Sequence, residues 1–264
     1  MDEKKVVQIG GSIEKSLQGQ YTIDVSSVLK EAWQLTLRTR IAINLGLLFI
    51  LVFAVVVSFA ISNSLGGIEE VIKDPQSTTL LNIVVVLIIS PFLVGVEMMG
   101  IFHAVGIKTN SKLIFAFLKR GSWVAVCALL TSVLVSLGMT LFILPGIYLS
   151  VAFSLTLPLI VDKNLSPIKA IILSLQVTRF QWFKLFAIYT SLFIGLFLSL
   201  IPLIILAKTQ FSVIGVIIFL VALTFLAPLL YNVKGILYRE IFGMQLPASV
   251  RDSTPNQTND TFSA

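Results

Sequence analysis

The stretch from Ser122 to Val161 reads SWVAVCALLTSVLVSLGMTLFILPGIYLSVAFSLTLPLIV, 40 residues without a charge. A helix needs about 20 apolar residues to cross the roughly 30 Å hydrocarbon core of a bilayer, so this stretch is too long for one crossing. Pro145-Gly146 lies near its middle, and such a pair favours a turn. The stretch therefore predicts a hairpin of two membrane-spanning helices, the second of which is short.

Four further apolar runs of spanning length flank this hairpin. Only 12% of the residues are charged and 56% are hydrophobic, whereas roughly 25% charged residues is usual in soluble domains. The sequence predicts an all-α polytopic membrane protein, and it leaves open whether spans three and four cross completely. The six predicted spans are Ile41–Ser62, Leu80–Ile107, Ser122–Leu144, Ile147–Val161, Phe183–Ala207 and Phe211–Tyr231.

The basic residues predict the orientation of these spans. All of the 19 Lys and Arg residues except Lys73 and Lys208 fall before span one, after span six, or in the second and fourth connections. Positive charge collects on the cytoplasmic side of membrane proteins, so both termini are predicted to be cytoplasmic. The net charge of +6 sits at the ends of apolar runs, which favours anionic membrane lipids over nucleic acid as partners.

Three segments of different character follow one another along the chain. Residues 1–23 are predicted to be a polar cytoplasmic N-terminus and residues 24–245 a single membrane domain. Residues 246–264 are polar and rich in Ser, Thr, Asn and Asp. A segment of that composition cannot bury enough apolar surface to fold, so a disordered cytoplasmic tail is predicted.

The six spans divide into three similar hairpins. The returning helix of each hairpin carries a proline, and Pro91, Pro158 and Pro228 are 67 and 70 residues apart. This near-constant period suggests three pseudo-repeated units, each made of an amphipathic helix followed by a hairpin. Because prolines are frequent in membrane helices, a chance recurrence stays open.

A basic amphipathic segment precedes each hairpin. Trp33 lies on the apolar face of the first, Leu113–Arg120 forms the second, and Ser166-Pro167 favours the start of a helix in the third. Such helices are predicted to lie in the headgroup plane, where each Lys or Arg gains about 1 kcal/mol from anionic lipid. The candidate headgroup contacts are Lys30, Arg38, Arg40, Lys119, Arg120, Lys169, Arg179 and Lys184.

Two ionisable residues interrupt the second span and form a candidate intramembrane polar site. Glu97 lies eleven residues before Lys108, roughly 16 Å from the inner interface and so near the bilayer midplane. A charged carboxylate at this depth costs several kcal/mol unless it is paired, hydrated or protonated. No intramembrane Lys or Arg is predicted as its partner, so a place in a transport path and a structural hydrogen bond stay open. His103 is predicted to reach the interface, on a different helix face from Glu97.

Several short motifs resemble those of a known family. They are Leu144-Pro145-Gly146-Ile147, Leu157-Pro158-Leu159-Ile160-Val161-Asp162-Lys163, the Ser174, Thr178 and Arg179 set, and Trp182-Phe183-Lys184. Together they resemble the YciC-like bacterial inner-membrane proteins and the related membrane domain of glycerophosphoryl diester phosphodiesterases. The resemblance covers residues 24–242. It implies a six-span plasma-membrane protein connected with envelope maintenance, and it implies no phosphodiesterase activity.

The sequence carries no recognisable catalytic motif. A Gly-rich phosphate loop and a Gly-x-Ser-x-Gly turn are missing, and the single Cys127 and single His103 disfavour a metal site or other cofactor. The first hypothesis is a non-enzymatic protein that interacts with lipid and supports membrane or envelope integrity. The alternative is a transporter, channel or lipid translocator that uses Glu97, and a lipid-headgroup enzyme is the least favoured hypothesis. The sequence predicts no oligomeric state.

Overall fold

The computed structural model of the protein describes residues 6–247. Within this range six helical segments are long and apolar enough to cross a membrane, which confirms the predicted all-α polytopic membrane protein. Short 3-10 turns at Ser111–Phe115, Leu118–Arg120 and Arg179–Gln181 connect some of the helices. The elements are β1 (Val6–Ile9), α1 (Ile13–Leu17), α2 (Val25–Ser64), α3 (Ile68–Lys73), α4 (Pro75–Ala104), α5 (Gly121–Leu141), α6 (Ile143–Ala152), α7 (Thr156–Asp162), α8 (Pro167–Thr178), α9 (Trp182–Leu206), α10 (Ser212–Phe242) and β2 (Met244–Pro247).

The central hairpin turns three residues earlier than predicted. Phe142 has an extended backbone between α5 and α6, whereas Pro145 and Gly146 lie in the first turn of α6. A proline is tolerated there because the first N–H groups of a helix have no partner within the helix. A Cβ on Gly146 would collide with Met139, so this glycine lets α6 pack closely against α5.

The sixth span extends further than its apolar run. The run predicts an end at Tyr231, but α10 continues to Phe242. Its last three turns are largely buried in the protein, so they tolerate Asn232 and Lys234, which lipid-facing turns would not. The helix is therefore longer than the predicted span six, because the apolar run reports lipid exposure and not helix length.

The protein core lies at the end of the bundle where the chain termini meet. It is built mainly from α10 after Asn232, from Val94–Ala104 of α4, and from the C-terminal part of α6 with α7. The opposite end contains few buried side chains. Most side chains between Val213 and Val221 of α10 are exposed there, as are the large apolar side chains Ile204 and Ile205 of α9. Lipid would cover these surfaces.

The two ends of the described chain pair with each other. Strands β1 and β2 are antiparallel, with Val7 opposite Leu246 and Ile9 opposite Met244. The Gly11 N–H donates to the carbonyl oxygen of Arg239 at 2.9 Å, so the N-terminal segment packs on the end of α10. The predicted polar N-terminus thus contains β1 and α1. The predicted disordered tail begins inside β2, and residues 1–5 and 248–264 lie outside the described residues.

The segment before α2 is held by buried hydrogen bonds. The Tyr21 hydroxyl donates to the carbonyl oxygen of Val177 at 2.8 Å, and Gln181 Nε2 donates to the Tyr21 carbonyl oxygen at 3.2 Å. Burial raises the pKa of Tyr21 to about 12, so the hydroxyl stays a donor. These bonds join the N-terminal segment to α8 and to the turn that follows it.

The three amphipathic segments take three different forms. The first is continuous with span one in α2, because neither Gly nor Pro interrupts the chain between Val25 and Ile43; the predicted separate helix in the headgroup plane is wrong here. The second consists of two 3-10 turns. The third is α8, which starts at Pro167 as predicted and exposes Ile168 and Ile172. The threefold pseudo-repeat stays a prediction.

Candidate functional site

Helices α4 and α10 cross with their backbones in contact at two glycines. A Cβ on Gly100 would collide with the carbonyl oxygen of Tyr231, and one on Gly235 would collide with the carbonyl oxygen of Gly100. Small residues allow such a close approach between membrane helices. As a result, polar side chains of the two helices on either side of the crossing come within hydrogen-bonding distance.

Glu97 forms a buried ion pair with Lys234. The Lys234 Nζ lies 2.6 Å from Glu97 Oε1, and the side chains are 18% and 3% exposed. The prediction that no membrane-buried cation pairs with Glu97 is wrong, because Lys234 lies inside α10 and not after span six. The second carboxylate oxygen, Oε2, is buried without a hydrogen-bond partner among the described residues.

His103 belongs to a separate hydrogen-bonded chain on the other side of the crossing. Its Nδ1 lies 3.2 Å from Asn232 Oδ1, and its Nε2 lies 2.7 Å from Thr109 Oγ1. Because an amide oxygen only accepts, Nδ1 carries the proton and Nε2 accepts from the threonine hydroxyl. Asn232 Nδ2 donates to Thr36 Oγ1 at 3.0 Å. His103 is 3% exposed, so it does not reach the interface as predicted.

Arg239 connects three helices near the termini. Its guanidinium donates twice to Glu31 of α2, at 2.6 and 2.9 Å, and to the carbonyl oxygen of Ala104 in α4 at 2.7 Å. It also contacts Glu240 at 2.7 Å. A guanidinium with two parallel bonds to one carboxylate is strongly oriented. Arg239 thus fixes the end of α10 against α2 and α4, and no pattern in the sequence distinguishes it from the other basic residues.

An apolar crevice of about 510 Å³ opens between α6, α9 and α10. Leucines and Ala227 make up half of its lining, and the exposed Phe193 lines it too, so the crevice opens on the surface that faces lipid. Its polar residues include Ser154, Tyr189 and Lys234. The crevice therefore touches the same lysine that pairs with Glu97, and the sequence offered no signal for it.

The predicted headgroup residues are mostly exposed. Arg40 instead packs its guanidinium 4.1 Å from the centre of the Phe225 ring, and Arg120 is partly buried and donates to the carbonyl oxygen of Ile160 at 3.3 Å. Arg179 is exposed and lies 4.7 Å from the centre of the Phe180 ring. The exposed members of the set are Lys30, Arg38, Lys119, Lys169, Arg179 and Lys184.

The site combines the buried ion pair of Glu97 and Lys234 with the apolar crevice beside it. In the part of the chain from 6 to 247, no group of three or more His, Cys, Asp or Glu side chains is placed to hold a metal ion.

No protein family model matches the chain, and no curated protein or solved structure is significantly similar to it. The resemblance to the YciC-like family therefore stays a prediction.

Proposed function

We propose that the protein is a non-enzymatic, multi-pass protein of the bacterial plasma membrane that binds anionic lipid at its termini-bearing face and supports membrane integrity. The supporting observation is a basic belt, made of exposed Lys119, Lys169, Arg179 and Lys184 beside exposed apolar side chains. The apolar neighbours are Trp123, Ile168, Ile172, Phe180 and Phe183.

This combination suits a membrane interface. Apolar side chains enter the boundary between headgroups and acyl chains, while the neighbouring cations remain at the level of the lipid phosphates. Each cation gains about 1 kcal/mol from an anionic leaflet, and the gain is screened by salt. The belt lies on the turn before α5, on α8 and at the start of α9, so bound lipid would contact three connected parts of the bundle.

Removal of belt charges is expected to lower the affinity for anionic lipid. The Lys169→Gln/Arg179→Gln/Lys184→Gln variant loses about 3 kcal/mol of favourable headgroup interaction at low salt, a roughly hundredfold effect. The measurement is retention of phosphatidylglycerol against phosphatidylcholine by native mass spectrometry of protein released from mixed nanodiscs. The matched control is Lys73→Gln/Lys208→Gln, which removes the two lysines at the opposite end. Equal retention in the triple variant and the wild type would contradict the proposal.

A transporter, channel or lipid translocator is the alternative. It draws support from Lys234, because this residue borders the crevice and also holds Glu97. The proposal predicts that Glu97→Gln lowers the thermal stability in detergent and leaves proton and ion flux into proteoliposomes unchanged. A variant of wild-type stability with altered flux would instead favour the alternative.

A further inference from the structure

The crevice ends at hydrogen-bond donors that the protein itself does not fully use. The Lys234 ammonium has three N–H donors, and Glu97 Oε1 accepts from one of them at 2.6 Å. The Tyr189 hydroxyl is buried in the protein and makes no hydrogen bond of good geometry with a described residue. It lies near the Ser154 hydroxyl, which itself donates to the carbonyl oxygen of Val151 at 2.8 Å. An occupant of the crevice should therefore offer an acceptor.

The charges at this end of the crevice indicate whether the acceptor is charged or neutral. Lys234 and Glu97 form a neutral pair, so an added anion would gain from the ammonium and lose against the carboxylate. Bringing a full charge into an apolar crevice also carries a large desolvation cost. An uncharged carbonyl oxygen avoids this cost and still satisfies the donors. The crevice thus favours a neutral acceptor over a carboxylate or phosphate.

The shape of the crevice fits a hydrocarbon chain. From Lys234 to Leu223 the wall formed by α10 extends for roughly 16 Å, away from the termini-bearing face. Leu192 and Leu196 of α9 continue the apolar wall on the other side. Tyr189 lies roughly 8 Å deeper along α9 than Lys184, which belongs to the basic belt. The polar end is therefore below the headgroup level, where lipid ester groups lie, and the apolar part extends towards the bilayer centre.

We infer that the crevice between α6, α9 and α10 binds one acyl chain of a membrane glycerophospholipid, whose ester carbonyl accepts a hydrogen bond from Lys234. The lipid belongs to the leaflet at the termini-bearing face. Its headgroup stays outside the crevice, so binding depends on the chain and ester and not on headgroup charge. This site is distinct from the basic belt of the proposed function.

The test uses a neutral lipid, so the outcome does not depend on the belt. The full-length protein is placed in phosphatidylcholine nanodiscs that contain a phosphatidylcholine with a photoreactive diazirine in one acyl chain. After illumination, labelled peptides are mapped by mass spectrometry. Labels are expected to concentrate on the α9 peptide with Leu192 and Leu196 and on the α10 peptide with Leu223. The exposed face of α2 between Leu51 and Phe59 reports general contact with lipid.

Two variants separate specific binding from general contact. Ala227→Trp fills the crevice and should reduce its labelling about tenfold, whereas the control Val221→Trp, at an exposed position on the opposite face of α10, should leave it unchanged. The Glu97→Met/Lys234→Met variant removes the donor together with the charge of its partner, so a smaller, about fivefold loss is expected. Labelling that is equal in Ala227→Trp and the wild type would overturn the inference. So would labelling no denser than on α2, or stronger competition by a free fatty acid than by phosphatidylcholine.

Discussion

Replacement of Lys234 by methionine is expected to lower the free energy of unfolding by about 3–5 kcal/mol. The substitution keeps most of the length of the side chain and removes its charge, which leaves the carboxylate of Glu97 buried without its partner at 2.6 Å. Breaking a buried ion pair by removing one member costs this much because the remaining charge loses its compensation. The measurement is equilibrium unfolding in mixed micelles, followed by the fluorescence of Trp33, Trp123 and Trp182.

The double variant distinguishes charge from packing. Replacing both Glu97 and Lys234 by methionine removes both charges and keeps the volume, and such exchanges are often neutral or stabilising. The double variant should therefore recover most of the lost stability. Lys208→Met, at an exposed position after α9, is the control and should stay within about 0.5 kcal/mol of the wild type. A double variant as unstable as Lys234→Met would show that the lysine acts through packing.

The ion pair also bears on the two functions considered for Glu97. The ion pair joins α4 to α10. This contact favours a structural role for the Glu97 carboxylate over a place in a transport path. The same lysine faces the apolar crevice, so the pair orients a donor towards lipid. In the lipid site that we infer, Glu97 would act as a positioning residue for Lys234.

Much of the architecture could be predicted from the sequence, because lipid imposes a strong and local signal. Each span must present about 20 apolar residues, and the run from Ser122 to Val161 is too long for one span, which predicts a hairpin. The errors occur where protein replaces lipid as the surroundings. The last turns of α10 pack against α4 instead of lipid, so they can contain the polar residues Asn232 and Lys234. A hydropathy profile cannot distinguish such helical turns from a polar loop.

The candidate site was predicted only in part for a related reason. Glu97 is conspicuous because it interrupts an apolar run, but its partner is 137 positions away along the chain. Local spacing contains no information about which helices cross. His103 was predicted to lie apart from Glu97, and the structure agrees, since each contacts a different residue of α10. The crevice depends on the separation of α9 from α6, which no local pattern encodes.

Replacement of Gly100 by alanine is expected to destabilise the protein by about 3 kcal/mol, the upper part of the range for overpacked interiors. In an isolated helix the same change stabilises by about 1 kcal/mol. A loss of stability would therefore report the close contact between α4 and α10. The added Cβ would collide with the carbonyl oxygen of Tyr231. A backbone atom cannot move aside as a side chain can, so α4 and α10 must separate.

The separation of these helices has consequences beyond the clash itself. Glu97 lies one turn from Gly100, and Lys234 is adjacent to Gly235, so a wider crossing lengthens the ion pair on which the buried carboxylate depends. Gly195→Ala in α9 is the matched control, because its Cβ would meet Leu226 Cδ2 at an ordinary 3.4 Å. It should be neutral or slightly stabilising in the same unfolding measurement. Both substitutions disrupt the same ion pair. The loss of stability in the Gly100→Ala/Lys234→Met double variant should therefore be smaller than the sum of the losses in the two single variants. Full additivity would mean that the glycine crossing and the ion pair stabilise the bundle independently.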